Sequence, residues 1–131
     1  MKVEKISITR EDVCTLLTME TGGFDYWGYI DYHEGDYVKA KDEMIEKKVK
    51  CSFNTPCYED VLAYMICDTQ YPVYIVDNEE GDRYQLTKSK LEDGFLYNIQ
   101  RRPEDGNLDE GDAITGDCIL QYAIFGDIIY G

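Results

Sequence analysis

The order of apolar and polar residues divides the chain into helical and extended stretches. Val3, Ile6 and Ile8 stand among charged residues and predict a short opening strand. Thr9 then starts a helix, with Asp12 three residues on in a capping-box arrangement and both Glu11 and Asp12 against the positive helix end. Val13, Leu16 and Leu17 carry the helical spacing, and Gly22-Gly23 ends it. Tyr26 to Tyr32 predicts a strand, with Tyr26, Gly28, Ile30 and Tyr32 on one face and Trp27, Tyr29 and Asp31 on the other. Glu34-Gly35-Asp36 predicts a turn.

Lys39 to Lys50 carries two patterns. Glu43 with Lys47 and Glu46 with Lys50 sit at helical i,i+4 spacing, whereas Val49, Cys51 and Phe53 alternate as in a strand. The reading adopted is a helix that gives way to a strand near Lys48. Tyr58 to Asp68 predicts a firmer helix, with Val61, Leu62, Met65 and Ile66 on one side. Val73 to Val76 and Arg83 to Leu86 flank the polar segment Asp77 to Asp82 and predict a hairpin. Thr87 caps a further helix with the stripe Leu91, Phe95, Leu96 and Ile99, in which Gly94 costs about 1 kcal/mol relative to Ala. Arg101 and Arg102 suit its carboxyl end and Pro103 its exit. Glu104 to Asp117 reads as an acidic, solvated loop. Asp117 is expected to cap a last helix, Cys118 to Phe125, which Gly126 ends before a final strand at Ile128 to Tyr130.

These elements predict an α+β protein: a single compact domain over residues 1–131, with an antiparallel or mixed sheet and three to four helices packed on it. Leu16, Leu17, Leu62, Met65, Phe95, Ile99, Leu120 and Ile124 are the expected core.

Composition narrows the function. The chain of 131 residues has 27 acidic against 13 basic residues, a net charge of -14, yet it contains 12 tyrosines. The acid favours solubility and repels nucleic acid and anionic membrane, while the aromatics supply partly polar contact surface. That combination predicts a binding protein with neither nucleic acid nor membrane as direct partner. No apolar run approaches the roughly 18 residues of a membrane span. The amino terminus has no apolar signal core, so a cytoplasmic protein is expected. The five cysteines include no CxxC pair, which disfavours a zinc site and suits a reducing compartment. A Cys51–Cys57 bridge across Pro56 is sterically conceivable but runs against that compartment.

The acid is too dilute for the chain to imitate DNA over its whole surface. A folded chain of this size exposes about 7,000 Å², or about one net charge per 500 Å². Duplex DNA carries about one per 100 Å² of its cylinder. Mimicry would require Asp77 to Asp82 and Glu104 to Asp117 to converge on one face.

Local chemistry offers few sites. Asp105, Asn107 and Asp109 match the first positions of a calcium loop, but Glu110 stands where glycine is required and Gly116 where a bidentate Glu belongs. His33 lies beside Asp31, Glu34 and Asp36 and reads as a surface histidine rather than a metal ligand or base. No phosphate loop, nucleophile elbow or zinc-protease motif occurs, so neither catalysis nor a cofactor is expected. Among the aromatics, Trp27 and Tyr29 are the best candidates for contact, because they share a face with Asp25 and Asp31. Gln121 is a polar residue in an apolar helix, and its amide needs partners from a neighbouring loop or a ligand. Lys39, Lys41, Lys47, Lys48 and Lys50 form a local cationic stretch within the acidic chain.

Two segments resemble a known family. Glu20-Thr21-Gly22-Gly23-Phe24-Asp25-Tyr26-Trp27 is similar to an "E-G-G-I-N-Y-W" motif, and Asp117 to Gly131, with its Gln121-Tyr122-Ala123-Ile124-Phe125-Gly126 core, is similar to an "A-I-I-Q-Y-A-L-F-G-E-V-V-Y-G" terminus. The chain thus resembles a family of short, uncharacterised proteins of phages and mobile elements. The resemblance implies a genomic setting and no established chemistry.

Two functions fit. The first is a non-catalytic phage-type protein that inhibits a host defence protein by occupying a basic surface, through Asp105, Asp109, Glu110 and Asp112 with Trp27 and Tyr29. The alternative is sequestration of a nucleotide-like molecule by Trp27, Tyr29, Gln121, Lys47 and Lys48, a reading that a homo-oligomer with its pocket at the subunit boundary would favour.

Overall fold

Strong β formers at alternate positions build the centre of the molecule. The computed structural model describes residues 6–19, 24–51 and 53–131. Its sheet has strands β1 (Gly28–Tyr32), β2 (Val73–Asp77) and β3 (Arg83–Gln85), in the order β1-β2-β3. Both pairings are antiparallel; Gly28 lies opposite Asp77 and Tyr32 opposite Val73. Val73 and Ile75 turn one face of β2 into the core. Tyr29, Asp31, Tyr74, Arg83 and Gln85 share the other face, where the Arg83 guanidinium lies 3.9 Å from the Tyr74 ring centre.

Five α-helices complete the α+β fold among the described residues, one or two more than expected: α1 (Arg10–Met19), α2 (Glu34–Glu46), α3 (Tyr58–Asp68), α4 (Lys88–Arg101) and α5 (Ala113–Phe125). Capping groups set several of their starts. The Thr9 and Asp12 side chains accept each other's backbone N–H, as the capping box requires, and Thr87 accepts the N–H of Lys90. Helix α1 packs on α3, α2 on α3, and α4 on α5. One apolar cluster joins them, including Val13, Leu16, Leu17, Met44, Leu62, Met65, Ile75, Leu91 and Leu120. Phe95 and Ile124 pack against it and Ile99 is half-buried, so none of the expected core residues is exposed.

The structure corrects several expectations. Residues 6–9 form no strand, and Val3 and Gly22-Gly23 lie outside the described residues. Glu34-Gly35-Asp36 is the first turn of α2, with His33 at the N-cap; Ala40 and Met44, four residues apart, give the helix its buried side. That helix stops at Glu46, and residues 48–51 form no strand; Lys48 has φ +53°. The supposed loop 104–117 is largely ordered. It forms short 3-10 turns at Pro103–Gly106 and Leu108–Glu110, and then α5 starts at Ala113, capped by Asp112 rather than Asp117. Asp112 accepts the Thr115 N–H and the Thr115 hydroxyl takes the Asp112 N–H, a closer local match than any that Asp117 offers. Ile128 to Tyr130 is not a strand either; a side chain satisfies its backbone.

All five cysteines are partly buried, and Cys51 and Cys57 are not bridged. Among the described residues no helix is long and apolar enough to cross a membrane.

Candidate functional site

Three segments meet at one end of the sheet. In the first, the N–H groups of Trp27 and Gly28 donate to the Phe24 carbonyl and form a tight turn. Strand alternation therefore begins only at Gly28 and does not reach back to Trp27. This overturns the expectation that Trp27 and Tyr29 share a solvated face: Trp27 is 1% exposed and Tyr29 51%. The indole packs among Phe24, Phe125 and Tyr130, and its Nε1–H donates to Asp117 Oδ1 at 2.7 Å.

Helix α5 supplies the second set of groups. Because the helix starts at Ala113, Asp117 and Gln121 stand four residues apart on one side of it. The Gln121 amide donates to Asp117 Oδ1 and to the Tyr130 carbonyl, each at 3.0 Å, while its carbonyl accepts the N–H groups of Ile129 and Tyr130, each at 2.9 Å. At 1% exposure this glutamine has its partners within the chain and fixes the tail. Tyr26 donates its hydroxyl to the other oxygen of Asp117. Burial first, and then that carboxylate, push the Tyr26 phenol up to about 12.

The hairpin turn is the third segment. Asp77 is buried and accepts the Tyr130 hydroxyl on both oxygens, at 2.9 and 3.0 Å, together with the N–H of Glu79. Burial and this carboxylate hold the Tyr130 phenol well above its usual range. Asn78 ties the hairpin to the first turn, donating from its backbone to Trp27 and from its amide to Asp25.

The result is an acidic end. Asp25, Glu79, Glu80, Asp82 and Asp127 are exposed on the joined segments. Behind them, Asp77 and Asp117 are satisfied by neutral donors, and neither has an ion pair among the described residues. Arg83, the next residue along the hairpin, is engaged with Asp31 and Tyr74. Tyr26, Ile114 and Ile129 expose apolar surface. A cleft of about 530 Å³ opens between α5 and the tail, with Ala113, Ile114 and Ile128 on its walls and Asp117 within it.

The acidic residues first singled out play other parts. Asp105 is 6% exposed, so the solvated-loop expectation fails for it. It accepts from Arg102, Asn98 and Thr115 at 2.7, 2.9 and 3.1 Å, joining the end of α4 to the start of α5. Burial pushes its carboxyl up, but these hydrogen bonds outweigh burial and hold it below the ordinary 3.8. Asp112 is the α5 cap, Asp109 falls in the second 3-10 turn, and Glu110 is exposed. Of the residues proposed for a nucleotide, only Trp27 and Gln121 come together, through Asp117. Lys47 and Lys48 stand at the end of α2 and do not line the cleft that holds Gln121. His33 is exposed, 3.8 Å from Asp36, and no metal-binding cluster occurs among the described residues.

Sequence reasoning missed Asp77, Asp117 and Tyr130 as partners. The available signal was the Asp112-x-x-Thr115 cap, which starts α5 early enough to align Asp117 with Gln121. Comparison with protein-family models, with curated proteins and with solved structures gave no match to this chain.

Proposed function

We propose that the protein is a small, non-catalytic binding protein of the phage or mobile-element type, and that its acidic end occupies a basic surface on a host protein, such as a defence protein, in the host cytoplasm. The observation that supports this reading is the convergence of Asp25, Glu79, Glu80, Asp82 and Asp127 in front of Asp77 and Asp117, none of these seven in an ion pair among the described residues. Like charges held together raise the local potential, which steers a cationic partner and speeds encounter. Exposed Tyr26, Ile114 and Ile129 offer the apolar contact that slows dissociation. A lysine or arginine of the partner would lay its aliphatic stem along Ile114 and Ile128 with its charge toward Asp117.

Capture from host lysate tests this, comparing the wild type with two charge-reduced proteins. In one, Asp25→Asn, Glu79→Gln, Glu80→Gln and Asp82→Asn neutralise the acidic end. In the other, Glu34→Gln, Asp42→Asn and Glu46→Gln remove charge from α2. A partner retained by the α2 variant and lost by the first, with an on-rate that falls steeply as salt rises, supports the proposal. Capture that the first variant leaves intact overturns it.

A further inference from the structure

A second cavity, of about 420 Å³, lies between α1, α3 and the segment after α2, away from the acidic end. Its charges balance, in contrast with the strongly acidic chain: Arg10 and Lys50 face Glu11 and Asp60. Asp60 is buried and has no Lys or Arg partner among the described residues. One oxygen accepts the Cys14 thiol at 3.2 Å, and the other accepts the Cys57 thiol at 3.2 Å and the Cys57 N–H at 3.1 Å. Burial first, and then Asp60, push the Cys14 thiol up to about 12, so it is a neutral, weak donor rather than a nucleophile. The first turn of α3 adds its partial positive charge, but among the described residues no full cation pairs with the carboxylate. A buried charge in that state favours any cation that can reach it.

Lys50 supplies the opposite sign. It is exposed at the cavity wall and has no ion pair among the described residues, whereas Arg10 is engaged by Asp68 at 2.8 Å. Met44 and Ala63 line the space as apolar surface, and Thr15 adds a hydroxyl. The volume falls in the range of sites that enclose small molecules.

We propose that this cavity binds a small zwitterion, with its ammonium or guanidinium group on Asp60 and its carboxylate or phosphate on Lys50. Neither half alone uses both uncompensated charges, so a molecule that carries both should bind best. This inference is independent of the acidic-end proposal, and neither depends on the other.

Titration calorimetry on the full chain tests it, with arginine and O-phosphoethanolamine as zwitterions and agmatine and inorganic phosphate as the half-charged controls. Saturable binding of at least one zwitterion is expected, about tenfold or more tighter than the matching control. Asp60→Asn and Lys50→Met should each weaken it by about tenfold or more. Because Asp60 also caps α3, Lys50→Met decides the outcome if Asp60→Asn proves unstable. No saturable binding of either zwitterion, or binding that survives Lys50→Met, overturns the proposal.

Discussion

Trp27 and Tyr130 stack with ring centres 5.6 Å apart and planes 7° from parallel, so the start of β1 and the carboxyl-terminal tail are held face to face. Each ring also satisfies a carboxylate, Asp117 for the indole and Asp77 for the phenol. The acidic end is thus closed by its own tail. Trp27, the chain's only tryptophan, reports whether the tail is docked.

Gln121→Leu should release that tail. The substitution keeps the buried volume but removes the acceptor of the Ile129 and Tyr130 N–H groups and the donor to Asp117. At about 1 kcal/mol net per hydrogen bond, a loss of about 2 to 3 kcal/mol is expected in urea unfolding. Trp27 emission should shift to the red as the ring becomes wet. Unchanged stability and emission would mean that ring packing alone holds the tail.

Gly94→Ala should destabilise the protein, although alanine favours a helix by about 1 kcal/mol. A Cβ at this position would lie 2.5 Å from the Ile119 carbonyl oxygen and 2.8 Å from the Ala123 nitrogen, both backbone atoms of the facing helix. Forcing α4 and α5 apart costs about 1 to 3 kcal/mol. A rise in thermal midpoint would show that this crossing relaxes freely.

Acid should weaken the α4–α5 junction. The Asp105 and Asp112 carboxyls both lie below their ordinary range, Asp105 because its hydrogen bonds outweigh burial and Asp112 chiefly because the Thr115 N–H favours its charged form. A lowered folded-state value means stability that is present above the unfolded value of about 4 and lost as pH falls through the folded one. Urea midpoints of the wild type should therefore drop between about pH 5 and pH 3. Asp105→Asn should start lower at neutral pH and fall less over that interval. Parallel curves for the two proteins would remove Asp105 from the acid response.

The partly buried thiols of Cys14 and Cys67 should react slowly. Burial and then the Asp60 carboxylate push Cys14 up to about 12, and burial pushes Cys67 up to about 11. Iodoacetamide at about pH 8 therefore meets little thiolate at either site. Peptide mapping should find both unmodified in the folded protein and alkylated once urea is added. Rapid labelling of Cys14 in the native state would contradict its environment beside Asp60.

Local chemistry determined much of the fold. Thr9 with Asp12 marks the start of α1, Thr87 that of α4, and the apolar spacing of Val61, Leu62 and Met65 places α3. The Asp77 to Asp82 turn between two β-rich runs makes the hairpin legible as well. In each case the deciding groups lie within a few residues of one another, so the sequence itself holds the information. Tertiary structure alone decided the site. Trp27 reads as outward by alternation, yet it turns inward to an aspartate 90 residues away. Asp105 belongs to an acidic run, yet it is buried because Asn98, Arg102 and Thr115 reach it from two helices. Gly94 reads as a weak point of its helix, and only the approach of α5 makes it a requirement. The burial of a polar group depends on whether distant parts of the chain bring it enough partners to replace water, and a local pattern does not encode that.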